Sequence, residues 1–221
     1  MLRERVKQFS ISLQVAGSSK RTSKARGRPR AFDRDAALHR AMELFWRQGY
    51  ESTSISDLTS AMGITAPSLY AAFGDKERLY LEAVERYKSG LGDSGSILAG
   101  EATARGAIER LLEASAIELT NTKDHPPGCM VVASAINGSP QSAHLQAALR
   151  DCRLEAEARI TAKIKRGIRD GELPPRTNAA ALGKFYMTVM QGMTIQARDG
   201  ATQKELLAVA RAAMLQWPEL A

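Results

Sequence analysis

The sequence predicts an all-α protein, and three observations carry that prediction. Apolar residues recur at three- and four-residue spacing from about residue 33 to 217, the period of one helical face. No stretch sustains the two-residue alternation of β-branched and polar side chains that a half-buried strand needs. Capping residues and glycines punctuate the apolar runs, closely at first and then at longer intervals. The expected division is a basic arm over 1–30, a three-helix N-terminal domain over 31–91 and a larger helical domain over 97–221.

Asp33 is a good cap for a first helix, "RDAALHRAMELFWRQ", with Ala37, Ala41, Leu44, Phe45 and Gln48 on one face and Gly49 at its end. Ser54 precedes Asp57 by three residues, an approximate capping box for a short second helix that Gly63 stops with a left-handed turn. Thr65 caps a third helix, whose first turn holds Pro67, where a missing N–H costs little. Gly74-Asp75 ends it and caps a fourth helix running to about Tyr87. The stretch "KSGLGDSGS", 88–96, contains Gly90-x-Gly92-x-x-Gly95, but no strand precedes it, so it is expected to be a flexible connection and not a dinucleotide loop. Further helices are expected over about 101–121, 128–135, 141–170, 177–198 and 202–216. The longest carries Leu145, Leu149, Cys152, Ala156, Ile160, Ile164 and Ile168 on one stripe, which makes Cys152 a core residue. Leu182, Phe185, Tyr186, Val189, Met190 and Met193 form a face too wide for a monomer's surface helix.

The net charge of +7 is placed unevenly. Residues 1–31 hold nine Lys and Arg against Glu4 alone, so a basic arm precedes a nearly neutral body. That is the footprint of phosphate or anionic-surface contact. Two cysteines without a C-x-x-C pair fit a reducing cytoplasm, and no run approaches the ~18 apolar residues of a membrane span. His39, His125 and His144 show no metal-ligand spacing, and there is no nucleophile elbow or phosphate loop. No catalytic residue, metal or cofactor is expected.

A short helix, a glycine turn and a second short helix can place that second helix in the major groove. Ile55, Leu58, Met62, Ile64, Leu69 and Phe73 are spaced to pin the pair on the first helix, which leaves Ser56, Thr65, Ala66, Ser68 and Ala72 outward. Small side chains there can approach base edges through a hydroxyl bond or a thymine methyl contact.

The segment "LFWRQGYESTSISDLTSAMGITAPSLYAAFGDKERLYLEAV", 44–84, resembles the N-terminal domain of the TetR/AcrR family of transcriptional regulators, through "GY", "TSISDL", "AMGI" and "SLYAAFGDKERL". The likeness covers about 33–88; beyond it only length and helical character match. The resemblance implies a helix-turn-helix DNA-binding domain joined to a ligand-binding and dimerisation domain. It implies an effector-released repressor, a homodimer through the helices at about 177–216, bound to near-palindromic double-stranded operator DNA. Carried over by position, Thr53 and Ser54 would hold phosphates, Ser56, Thr65, Ala66, Pro67 and Ser68 would lie near base edges, and Tyr70 and Phe73 would contact the sugar-phosphate wall. Lys76, at a helix N-terminus, would meet a phosphate. Cationic affinity would come chiefly from "KRTSKARGRPR", 20–30, with Arg28 and Arg30 beside the first helix.

The family's usual signal is a small molecule, and this sequence does not name it. Candidate lining residues are Met130, Phe185, Tyr186, Met190 and Met193. Cys129, in "PPGCMVVASA", falls near a helix start, where the macrodipole favours a thiolate, and its setting is similar to that of members that respond to electrophiles or oxidants. A non-specific architectural DNA-binding protein and a small helical enzyme stay open as alternatives.

Overall fold

In the computed structural model, which describes residues 33–90, 93–134 and 140–219, the first helix opens where Asp33 accepts the Ala36 N–H at 3.0 Å. That helix, α1, spans Arg34–Gln48 and stops at Gly49, whose φ is 81°. Before α2 (Ile55–Met62) the Ser54 hydroxyl accepts from Asp57 N–H while the Asp57 carboxylate accepts from Ser54 N–H, the reciprocal bonds expected. Gly63 ends α2 at φ 68°, in the left-handed region that favours glycine. Thr65 and Asp75 cap α3 (Ala66–Phe73) and α4 (Lys76–Lys88) by accepting the N–H groups of Ser68 and Arg78.

The expected open connection after α4 is instead partly helical. Asp93 accepts the N–H groups of Gly95 and Ser96, so it starts α5 (Ser94–Gly100), and Leu98 is buried. The helix expected from residue 101 therefore begins later, as α6 (Ala104–Leu119), capped by Thr103. Then come the single turn α7 (Met130–Ala133), a 3-10 turn at Pro140–Ser142, α8 (Ala143–Arg169), α9 (Ala179–Arg198) and α10 (Gln203–Met214). Among the described residues there is no strand, and no helix is long and apolar enough to cross a membrane.

Residues from Asp33 onward form one compact unit. Leu58, Met62, Leu69 and Phe73 are buried as their spacing predicts, with Ile55 and Ile64 packed against them. α1 buries more than one face: Leu38, Met42 and Trp46 join Ala37, Ala41 and Phe45, because α2 and α4 cover it from two sides, while Gln48 is exposed. The same core continues through Met130 and Val131 of α7 and Leu145 and Leu149 of α8. The N-terminal helices thus share their apolar interior with the larger helical part. A second core joins α6, α8, α9 and α10 around Ile108, Leu112, Ile164 and Tyr186. There α8 and α9 approach so closely that a Cβ on Gly183 would collide with Thr161 Oγ1 and lie 3.3 Å from Thr161 Cα.

Candidate nucleic-acid interface and effector cavity

The buried pins of α2 and α3 turn a neutral surface outward. Ser54, Ser56, Thr65, Pro67 and Ser68 are exposed, Ala66 and Ala72 are half-buried, and Tyr70 projects with 48% of its surface free. Thr65 Oγ1 lies 2.9 Å from Ser68 Oγ, so two hydroxyls stand together at the start of α3. Pro67 in that first turn lacks an N–H that the helix would leave unpaired in any case.

Two expected contacts are not on this surface. Thr53 is fully buried and its hydroxyl donates to Gly49 O at 2.7 Å, because it closes the turn that links α1 to α2. Phe73 is 5% exposed and packs in the core beneath the guanidinium of Arg34, which lies 4.4 Å from its ring centroid. Arg34 also donates to Ala72 O and pairs with Glu82, tying the end of α3 to α4. Arg28 and Arg30 lie outside the described residues.

Lys76 stands at the first position of α4, with its ammonium 4.2 Å from the centre of the Tyr50 ring. Partial burial pushes its pKa down, against the pull of Glu51. Asp75, next to Lys76 in sequence, caps this helix by accepting the Arg78 N–H at 2.8 Å.

Behind these helices α4, α5, α6, α7, α8 and α9 line a cavity of about 900 Å³ that is partly open to solvent. Its apolar wall includes Leu111, Val131, Ile160, Met187 and Met190. Of the expected lining residues only Cys129 and Met190 face it. Met130 is buried in the core shared with the N-terminal helices, Tyr186 is buried near Trp217, Met193 is buried in a third cluster with Leu206, and Phe185 is exposed. Cys152 is half-buried on the cavity wall rather than in the core, since the stripe on α8 opens at its middle. Burial pushes the Cys152 thiol up, with Lys88 opposing. Cys129 is the residue before the single turn α7. Its neighbour across the wall is Tyr87, whose phenol is held well above its usual value by burial first and by Cys129 second.

One further set of residues, not anticipated in the sequence, joins the cavity to α1. His125 is buried, its Nε2 lies 2.9 Å from Glu118 Oε1 on the cavity wall, and its ring stacks on Trp46. Trp46 Nε1 donates to Gly128 O at 3.1 Å, the peptide immediately before Cys129. Gly128 holds φ 79°, and a Cβ there would come within 3.0 Å of Thr194 O, so this contact needs glycine. A histidine beside two prolines gave no periodic signal by which this stack could be foreseen.

Residues 37–83 match the family described as bacterial regulatory proteins, tetR family, and residues 107–214 match a tetracyclin repressor-like C-terminal domain. The chain is 36% identical over 205 residues to the HTH-type transcriptional repressor ComR of Escherichia coli K12, covering 92% of this chain and 97% of that relative. It is 30% identical over 200 residues to the HTH-type transcriptional repressor BdcR of the same organism, covering 87% and 92%. Among solved structures, a cysteine mutant of the TetR-family regulator CifR complexed with 26 bp double-strand operator DNA is 42% identical, with a TM-score of 0.83 over 87% of this chain and all of that one.

Proposed function

The chain belongs to the TetR family of bacterial regulatory proteins, and on that premise we propose that this DNA-binding transcriptional regulator is a homodimeric repressor released from its operator by a small molecule. The observation that carries the reading is the uncharged, exposed start of α3, held out by buried Leu58, Met62 and Leu69. Ser56, Thr65, Ala66, Pro67 and Ser68 read base edges, and Tyr70 lies along the sugar-phosphate wall. Ser54, Lys76 and the arm with Arg28 and Arg30 supply phosphate contacts.

The dimer forms through α9 and α10. On α9 the exposed residues Ala181, Phe185, Thr188, Gly192 and Gln196 make an uncharged stripe, and Ala208 and Ala212 of α10 with Leu215 just past its end make another. Leu215 is 83% exposed, a large apolar side chain that a second copy would cover. The work is done at chromosomal DNA, in the cytoplasm.

The cavity is the effector site, and Cys129 on its wall is the residue most open to an electrophilic effector. Occupation shifts Cys129 and Glu118, and with them the Gly128 and His125 contacts to Trp46, so α1 and α4 move with the ligand. Footprinting on DNA around the protein's own locus tests the reading. A discrete protected site with two-fold symmetry is expected; uniform coating would mark a non-specific architectural protein instead. For the thiol, mass spectrometry after treatment with N-ethylmaleimide is paired with operator binding by Cys129→Ser. An unmodified Cys129 or an unaltered response removes the sensing role.

A further inference from the structure

The cavity wall carries several charged side chains, and among the described residues all but one either pair with an opposite charge or accept hydrogen bonds at the carboxylate. Lys88 pairs with Glu85 at 3.0 Å and Arg159 with Glu155 at 2.6 Å, both at the rim. Glu118 is held by His125, and Asp93 accepts two amides of α5. Arg153 is the exception. Its side chain is half-buried and lines the cavity, and among the described residues it makes no ion pair. Its Nη1 donates to Val131 O at 3.3 Å, which leaves the remaining donors of the guanidinium without a described partner. Burial pushes the Arg153 pKa down, with Cys152, Cys129 and Tyr80 opposing.

A guanidinium without a described ion-pair partner, half-buried next to an apolar wall, is an arrangement that an incoming anion would stabilise. We infer that the cavity selects an amphipathic monoanion, an apolar body ending in a carboxylate that Arg153 grips while Leu111, Ile160, Met187 and Met190 surround the rest. The planar fork of Arg suits a carboxylate through two parallel hydrogen bonds, which a neutral alcohol cannot reproduce and an amine would oppose. The volume lies within the range of small-molecule sites, so aliphatic and aromatic bodies both fit. This inference rests on the reading of the cavity as the effector site and names the chemistry that site takes.

The test compares decanoate with decanol, and 2-naphthoate with 2-naphthalenemethanol, by isothermal titration on the full-length protein, below micellar concentration. At least one carboxylate is expected to bind about tenfold or more tightly than its alcohol, the size of a charged hydrogen bond. Arg153→Gln should abolish that preference, and Arg153→Lys should keep part of it, which separates lost charge from lost fold. Equal binding of acid and alcohol, survival of the preference in Arg153→Gln, or no binding of either acid up to about 1 mM overturns the inference. Operator affinity is measured alongside. Arg153-dependent carboxylate binding that leaves operator affinity unchanged would sink the effector-site reading while this inference stands. Release of the operator by the alcohols as effectively as by the acids would do the reverse.

Discussion

The imidazole of His125 lies flat on the indole of Trp46, with ring centroids 4.6 Å apart and planes 12° from parallel. The two residues belong to different parts of the molecule, one to α1 and one to the segment between α6 and α7. Through Glu118 the stack touches the cavity wall, and through the Trp46–Gly128 hydrogen bond it reaches the peptide immediately before Cys129, which lines that wall. On the proposed coupling, Trp46 should report cavity occupation. Of the two tryptophans, Trp217 can be removed as Trp217→Phe. In that background with Cys152→Ser, alkylation of Cys129 by N-ethylmaleimide should shift or quench the Trp46 emission, and His125→Ala should blunt the change. Unaltered emission with complete alkylation would break the proposed route.

The arm predicts a salt effect. If most cations of residues 20–30 reach phosphates, operator affinity should fall by orders of magnitude over a few-fold rise in salt. Deleting residues 1–30 should weaken binding and flatten the slope of log affinity against log salt while the order of preference among operator variants is kept. An unchanged slope would assign the cationic contacts elsewhere, with Lys76 and Arg78 the next candidates.

Packing at the crossing of α8 and α9 should be intolerant of even one methyl group. Gly183→Ala would drive a Cβ into Thr161 Oγ1 against backbone only 3.3 Å away, so the helices must separate. A loss of about 1–3 kcal/mol is expected in denaturant unfolding, and Thr161→Ala in the same chain should recover part of it. Gly63→Ala should cost about 1–2 kcal/mol for a different reason. Its nearest non-local atom would be 3.7 Å away, so only the left-handed backbone is penalised, and no second-site change in packing should rescue it.

Acid sensitivity should trace to helix caps. The bonds from Ser54 hold Asp57 below its ordinary carboxylate value, and the bonds from Thr202 do the same for Glu205. A carboxylate with a lowered folded pKa adds stability that is complete above its unfolded value and is lost as pH falls through the folded one. The ordinary values are 3.8 and 4.5, so the loss should begin near these and grow below them. Glu205→Gln should lower stability at neutral pH and flatten the acid limb of a denaturant midpoint measured across this range. A limb as steep as that of the unaltered protein would place the acid-sensitive groups elsewhere.

Helix existence was largely legible because each N-terminal helix carries both a cap and a glycine stop: Asp33 and Gly49, Ser54 and Gly63, Thr65 and Gly74. α5 was missed because its glycines and serines read as a connection, and its stability comes from Asp93 and the burial of Leu98. On the outer face of α2 and α3 the small exposed residues were legible from the pins opposite them, whereas the burial of Thr53 and Phe73 was not. Their inward placement depends on the turn after α1 and on Arg34, which sequence spacing does not reveal. The cavity was the least legible feature. Five other helices besides α8 build its wall, and whether Cys152 or Arg153 faces an interior or a void depends on how they diverge.

Met130, Val131, Leu145 and Leu149 complete the interior of the N-terminal helices, and this makes the protein a poor candidate for modular exchange. A chimera that grafts residues 33–88 onto a relative's sensor inherits half of a seam whose other half was tailored to different side chains. Retargeting to a new operator is therefore better attempted by rewriting the outward residues of α2 and α3 in place, and any transplant must carry those four positions with it.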